Sequence, residues 1–169
     1  MPTRHSTPRL LIAYDGSESA VRAIQDVAKL LPGTTAVVLN VWKPLNNIAV
    51  YGPLAATTDT GEVNESSEAD ARALADEGAE LARECGLNAR SEAIMESGSV
   101  GDTITTRSLD DDIDMIVVGS TGHTALGGAL FGSVSRDLTR HASVPLLLLR
   151  PNATATAAGT STVATAGTQ

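Results

Sequence analysis

The stretch DMIVVGSTGHTALGGALFGSVS, Asp114–Ser135, joins a short apolar run to a predicted helix through a segment with five glycines. The apolar run Asp114–Val118 has the length of a buried strand, and Gly132–His141 follows the pattern of a helix. A glycine-rich connection from a strand to a helix is typical of sites where an anion lies against backbone. The segment has no lysine, the residue that commonly accompanies phosphate in such loops.

The rest of the chain repeats this alternation of apolar runs and helical patterns. A helical pattern runs through Val21–Leu31 and stops at Pro32-Gly33, and two more helices are predicted over Asn64–Cys85 and Val100–Leu109. Strands that alternate with helices predict an α/β fold, an open five-stranded parallel sheet with helices on both faces. The other predicted strands are Arg9–Tyr14, Thr35–Trp42, Asn88–Met95, which is polar enough for a sheet edge, and Val144–Leu149.

The length of 169 residues fits one domain, which we assign to residues 9–151. Residues 1–8 are polar and residues 152–169 are almost all Ala, Thr, Gly and Ser, so we expect both ends to be disordered. The segment Lys43–Val63 has no clear periodicity and contains two prolines and two glycines. Connections of this length are often lids or binding loops.

Composition excludes several classes of partner. The formal net charge of −8 and the pI near 4.7 disfavour binding to nucleic acid or to anionic lipid. No apolar run approaches the roughly 20 residues of a membrane span, and the first residues do not resemble a secretory signal. The single cysteine, Cys85, forms no intramolecular disulfide and is expected to pack in the core. These features favour a cytoplasmic protein.

Ligands of open parallel sheets bind beyond the carboxyl ends of the strands, where the strand order reverses. The residues that leave such ends here are Ala13-Tyr14-Asp15, Val41-Trp42-Lys43 and Gly119 onward. They converge on one crevice if the first strand is central. Asp15, with Glu18 three residues later, also resembles a capping box at the start of the first helix.

Two familiar phosphate-binding motifs are absent. No stretch has the Gly-x4-Gly-Lys string of a Walker loop, and the turn after Tyr14 reads DGSES rather than G-x-G-x-x-G. The chain instead contains Gly119-x2-Gly122-x9-Gly132-Ser133. Gly119 and Gly122 let the backbone approach a ligand, and Gly132 opens a helix whose free N–H groups attract phosphate.

This motif resembles that of the ATP-binding branch of the universal stress protein family. The similarity runs from about Arg9 to Arg150 and includes the segments LIAYDGSESA, LNVW, DMIVVGSTG, GSVS and HASVPLLLLR. The resemblance implies a Rossmann-like fold of the adenine nucleotide alpha hydrolase type. It also implies ATP as the ligand, with Mg²⁺ held through the phosphates and no protein metal ligand assigned.

The resemblance assigns the binding residues in three groups. Ala13, Tyr14 and Asp15 lie against the nucleotide, and Val41 reads adenine through its backbone. Val118, Gly119, Ser120, Thr121 and Gly122 line the ribose and the α-phosphate, while Gly132, Ser133, Val134 and Ser135 reach the outer phosphates. The hydroxyls of Ser133 and Ser135 are expected to donate hydrogen bonds, and Tyr14 either stacks on a ring or crowds the pocket.

The last strand is a predicted apolar edge, which invites aggregation unless it is covered. The resemblance implies that it pairs with its twin across a two-fold axis. The predicted homodimer interface consists of Val144, Leu146, Leu147, Leu148 and Leu149.

We therefore expect an ATP-binding stress-response regulator, a homodimeric switch or sensor that acts on an unidentified downstream protein. The quoted loop has no cation to stabilise phosphoryl transfer, so turnover is not expected as the main activity, although slow hydrolysis stays open. The alternative is a binder of cyclic AMP or another adenine ligand that buffers a second messenger. A dedicated ATP-cleaving enzyme is disfavoured, because the resembling enzymes carry an SGGxDS-type loop and Asp15–Ser19 reads DGSES.

Overall fold

A computed structural model describes residues 7–44, 60–110, 113–120 and 132–150. Strands and helices alternate through these residues, and every strand pairing is parallel. The predicted α/β class is confirmed. The elements are β1 (Leu10–Ala13), α1 (Glu18–Leu30), β2 (Thr35–Trp42), α2 (Thr60–Glu84), β3 (Asn88–Met95), α3 (Val100–Arg107), β4 (Met115–Gly119), α4 (Ser133–His141) and β5 (Leu146–Leu149).

The described strands form one sheet in the order β3-β2-β1-β4-β5. The first strand is central, with Leu11 opposite Val37 of β2 on one side and Ile116 of β4 on the other. The chain therefore reverses its direction of travel across the sheet between β1 and β4. This is the condition under which the carboxyl ends of the three strands meet at one crevice.

Side chains of the sheet alternate between two core layers. Leu10 and Ile12 of β1 face α1 and α2, whereas Leu11 faces α3 and α4. The fully buried alanines of α2 are Ala71, Ala75, Ala79 and Ala82, and Leu74 and Leu81 of the same helix pack against the layer while only partly buried. This helix starts at Thr60, before the predicted Asn64. Cys85 packs against the same layer but is only partly buried.

The start of α1 differs from the predicted capping box. The cap is Ser17, whose hydroxyl accepts a hydrogen bond from the N–H of Ala20 at 3.2 Å. Asp15 lies outside the helix, and its carboxylate accepts from the N–H of Ser17 at 3.0 Å. Gly16 between them has a φ of +74°, a backbone conformation that residues with a side chain rarely adopt. Because the chain turns at Gly16, α1 begins only after Ser17, and Asp15 is not its cap.

The strand β5 lies at the sheet edge, as predicted, but is shorter than Val144–Leu149. All four of its leucines are half-buried. Leu147 and Leu149 pack on the layer under α1, while Leu146 and Leu148, with Val144 before the strand, pack on the layer under α3 and α4. The leucine side chains thus pack within the core of a single protein chain. The homodimer through this strand stays a prediction.

Several predicted segments lie wholly or largely outside the described residues. They are the ends 1–8 and 152–169, most of the Lys43–Val63 connection, and the site residues Thr121 and Gly122. In the parts of the chain that are described, no helix combines the length and the apolar character needed to cross a bilayer.

An ion pair joins α3 to the edge strand β3. The guanidinium of Arg107, whose side chain is 9% exposed, donates to both carboxylate oxygens of Glu92, at 2.8 and 3.1 Å. Burial alone would raise the pKa of Glu92, but the hydrogen bonds and charges of Arg107 and Arg90 outweigh it and hold this pKa below its usual range. The ionised pair therefore favours the folded state.

We expect Glu92→Gln to lower the free energy of unfolding at pH 7 by about 1–3 kcal/mol, because Arg107 loses its bidentate charged partner, although its contact with the exposed Asp110 remains. A lowered pKa means that the stability is present above the unfolded value of about 4.3 and is lost as the pH falls. The difference between wild type and variant in urea denaturation should therefore shrink below about pH 4. The control is Glu18→Gln, which breaks the exposed pair with Arg22; an equal effect there would contradict the assignment.

Candidate functional site

A cavity of about 320 Å³ opens at the carboxyl ends of β1, β2 and β4. Its volume falls in the range of small-molecule sites, and its place is the reversal point of the strand order. The described residues that line it are Ala13, Tyr14, Asp15, Ser17, Ala20, Leu39, Asn40, Val41, Lys43, Val100, Ile104, Val118, Gly119, Gly132, Ser133, Val134 and Ser135. All the predicted site residues that the structure describes, except Ser120, are therefore brought to one place.

Tyr14 lines the cavity and is held in the core by contacts with α2. The residue is 3% exposed in the core layer under α1 and α2, and its hydroxyl donates to Oε1 of Glu77 at 2.8 Å. Burial, followed by the hydrogen bond and negative charge of Glu77, raises the pKa of Tyr14 far above its usual value. The phenol therefore stays neutral and serves as a fixed hydrogen-bond donor to α2.

The backbone of Tyr14 ties β1 to β2 at the edge of the cavity. Its N–H donates to the carbonyl of Leu39, and its carbonyl accepts from the side-chain nitrogen of Asn40, both at 2.9 Å. Since the carbonyl can only accept, this bond fixes which end of the Asn40 amide points toward it. Asn40 is 8% exposed, and its amide oxygen makes no hydrogen bond with a described residue. Asn40 itself is one of the lining residues of the cavity.

Gly119, the last residue of β4, packs against the first turn of α1. A Cβ at this position would lie 2.8 Å from the carbonyl oxygen of Ser19, a distance that side chains do not tolerate. The sequence predicts this glycine for its close approach to a ligand. The structure adds a packing requirement that any residue with a side chain would violate.

The start of α4 faces the cavity without a side-chain cap. Gly132 is the N-cap residue, and the first helical hydrogen bond runs from the N–H of Arg136 to its carbonyl at 3.1 Å. The N–H groups of the first turn, Ser133–Ser135, have no intrahelical acceptor and lie at the positive end of the helix dipole. By contrast, α1 and α3 are capped by the hydroxyls of Ser17 and Ser99.

Ser120 and Ser135 make hydrogen bonds within the protein beside the cavity, and their predicted contacts with a ligand stay predictions. The carbonyl of Ser120 accepts from the N–H of Gly132 at 2.9 Å, and Ser120 is buried outside the cavity lining. The hydroxyl of Ser135 is also buried and lies 3.1 Å from the carbonyl of Gly132 and 3.3 Å from that of Ser120. Its single proton is thus bonded to backbone. Ser133, by contrast, is exposed at the cavity.

Seven lining residues are not among the assigned site residues, although the sequence does place Lys43 at a strand end that leads to the crevice: Ser17, Ala20, Leu39, Asn40, Lys43, Val100 and Ile104. Lys43 and Asn40 carry a readable signal, because both stand at the carboxyl end of a buried strand, where parallel sheets bind ligands. Val100 and Ile104 carry none, because α3 reaches the cavity only through the tertiary fold. Among the described residues, no cluster of three or more His, Cys, Asp or Glu side chains could hold a metal ion.

Comparison with known proteins identifies relatives over almost the whole length. The sequence profile described as the universal stress protein family matches residues 7–150. A universal stress protein of Thermus aquaticus is 27% identical over 144 residues, which are 83% of this chain and 97% of that protein.

Solved structures share the fold at low identity. The hypothetical protein MJ0577 is 19% identical with a TM-score of 0.70, covering 88% of this chain and 99% of its own. A universal stress protein of Arabidopsis thaliana, described with AMP bound, gives a TM-score of 0.58 at 19% identity and covers 86% of this chain and 93% of its own. A universal stress protein described in complex with cAMP gives a TM-score of 0.57 at 18% identity and covers 86% of this chain and 98% of its own.

The contact between Tyr14 and α2 generates a testable prediction at Gly78. A Cβ there would lie 2.7 Å from the Tyr14 ring and 2.9 Å from Val38, both in the core. Gly78→Ala should therefore destabilise the protein by about 1–3 kcal/mol from overpacking, although alanine is favoured over glycine within a helix by about 1 kcal/mol. Thermal unfolding measures the change. Glu84→Ala, exposed on the same helix, is the control, and a stabilised Gly78→Ala protein would contradict the packing.

Proposed function

The chain belongs to the universal stress protein family, and we propose that it is a regulatory protein that binds an adenine nucleotide, with ATP as its principal ligand. The observation that carries the proposal is the uncapped start of α4, which presents its first N–H groups to a 320 Å³ cavity at the reversal point of the sheet. Relatives of the same fold described with AMP and with cAMP support an adenine ligand.

The two ends of the cavity suit different parts of a nucleotide. Apolar side chains from α3 and β4, namely Ile104 and Val118, line it together with Val41 and the buried amide of Asn40. Such a surface accepts the flat face of a base and offers an acceptor for an amino group. At the start of α4, backbone N–H groups and the Ser133 hydroxyl can donate hydrogen bonds to phosphate oxygens. Mg²⁺ would be held through the phosphates.

We propose binding without rapid turnover as the main activity. Phosphoryl transfer requires a positioned base and cations that stabilise the developing charge. The carboxylate of Asp15 already accepts the N–H of Ser17, and Lys43 at the cavity rim is paired with Glu96. A phosphate-release assay tests this directly: release of phosphate in many turnovers per protein would show an enzyme.

Binding of cyclic AMP instead of ATP is the competing function. Calorimetry with each of the two ligands distinguishes it from ATP binding.

The site predicts how substitutions at Gly132 act. Its φ of −67° and ψ of 169° are open to any residue, so the fold should tolerate a side chain there. Aspartate is a preferred N-cap, and Gly132→Asp should keep or raise thermal stability by a few tenths of a kcal/mol. Its carboxylate would occupy the free N–H groups and repel phosphate, which should weaken ATP binding roughly ten- to hundredfold in calorimetry.

The matched control is Gly132→Asn, which has the same shape and capping ability without the charge. We expect an intermediate affinity, and Ser133→Ala should lose only about two- to tenfold through one hydroxyl. A folded Gly132→Asp protein that binds ATP as tightly as wild type would show that phosphate does not lie at the start of α4.

We also propose that the nucleotide-binding protein works as a homodimer through the free edge of β5. In the described sheet this edge has no neighbour, and its leucines are only half-buried. Light scattering at micromolar concentration should give twice the chain mass of 17.3 kDa. Leu148→Lys should give a folded monomer, because its apolar stem still covers the core while its ammonium opposes pairing. The control Met95→Lys, at the other edge, should stay dimeric, and a monomeric wild type would refute the interface.

A further inference from the structure

A second cavity of about 350 Å³ adjoins the first along α4. The two cavities share Lys43, Val100, Ser133 and Val134, so a ligand can extend from one into the other. The second is far more polar than the first. Its remaining described lining residues are Glu96, Ser99, Gly101, Arg136, Asp137 and Arg140.

Arg136 and Arg140 stand one turn apart on the face of α4 that borders this second cavity. Both are exposed, and neither makes an ion pair or a side-chain hydrogen bond with a described residue. This contrasts with Arg22 and Arg72, which pair with Glu18 and Glu68 on their own helices. In a chain with a net charge of −8, carboxylates are plentiful. Two guanidinium groups at one cavity are nevertheless left available to an external anion.

The two carboxylates in the cavity lining are already engaged. Asp137 contacts the hydroxyl of Ser99 at 3.1 Å and Nδ1 of His141 at 3.0 Å. It faces the start of α3, since a Cβ on Gly101 would lie 2.8 Å from its carboxyl carbon. Glu96 is held by the ammonium of Lys43 at 3.2 Å, within ion-pair distance although that oxygen has no hydrogen-bond partner. Neither carboxylate neutralises an arginine.

The spacing along α4 matches a chain of phosphates that grows outward from the first cavity. At a rise of 1.5 Å per residue, Arg136 lies about 4.5 Å and Arg140 about 10.5 Å along the axis from Ser133. Arginine binds phosphate through two parallel N–H groups and stays charged at every physiological pH. A single phosphate at the start of the helix would leave both side chains unused, whereas outer phosphates would meet Arg136 first and Arg140 next.

We infer that the second cavity is a subsite for the outer phosphates of an adenosine polyphosphate, and that Arg136 and Arg140 make the protein prefer such ligands over those with one phosphate. The inference rests on the proposed function, because it requires the nucleoside in the first cavity. It assigns the choice between a triphosphate and a monophosphate or cyclic nucleotide to two side chains. Those side chains lie outside the glycine-rich segment.

The test compares ligands that differ only in phosphate number. Calorimetry with AMP, ADP and ATP should show wild type binding ATP at least about tenfold more tightly than AMP. In Arg136→Gln/Arg140→Gln the affinity for ATP should fall to near that for AMP, while AMP itself changes less than about twofold. The single variant Arg136→Gln should account for the larger part of this loss of ATP affinity. Arg22→Gln, which removes a paired exposed arginine on α1, is the control and should leave all three affinities unchanged.

Inorganic tripolyphosphate provides a readout that is independent of the nucleoside. It should bind wild type and compete with ATP, and the double variant should lose this binding. If wild type binds ATP no better than AMP, or the double variant keeps the wild-type ratio, the phosphate subsite is overturned while nucleotide binding stands. An equal loss for AMP and ATP in the double variant overturns it as well. If no adenine nucleotide binds folded wild type, the proposed function itself fails.

Discussion

The position of β1 between β2 and β4 is the constraint on which the rest of the structure depends. From β1 the chain continues to β2 on one side of it, and later returns to place β4 on its other side. The loops after these strands therefore diverge and leave a crevice that side chains alone do not fill. Close packing holds this geometry, because α1 approaches β4 so nearly that Gly119 has no room for a side chain. The same cleft that results from topology is the cavity in which a ligand can lie.

The chemistry offered in that cleft comes mainly from backbone. Where α1 and α3 use a serine to satisfy their first N–H groups, α4 begins with Gly132 and leaves those groups to an external acceptor. Nearby polar side chains stabilise the frame instead of the ligand. The Ser135 hydroxyl lies within hydrogen-bond distance of the carbonyls of Gly132 and Ser120, just before α4. The Tyr14 hydroxyl donates to Glu77. Under the proposed function, such a site would distinguish ligands by shape and by phosphate.

Charge around the cleft is distributed unevenly. Ion pairs join several described arginines to neighbouring carboxylates, as at Arg107 and Glu92, where the pair fixes α3 against β3. The unpaired guanidinium groups of Arg136 and Arg140 lie together on the α4 face beside the second cavity. Under the proposed function, the number of phosphates on the bound nucleotide would be distinguished by side chains of α4, the helix that leads directly into the edge strand β5.

The amino-acid sequence by itself determined the element order, the parallel sheet and the core faces, because these follow from local periodicity and from alternation. It also indicated residues at the strand ends and at the start of α4, of which Ala13, Val41, Val118 and Gly132 do line one cavity. Thr121 and Gly122 lie outside the described residues, so their predicted contacts stay predictions. The tertiary structure alone decided that Ser17 rather than Asp15 caps α1, that the Ser135 hydroxyl bonds to backbone carbonyls, and that Val100 and Arg136 border the cavities. Sequence spacing encodes contacts within one element, whereas these contacts join elements that are distant in the chain, and only the packing of the whole sheet and its helices sets their distances.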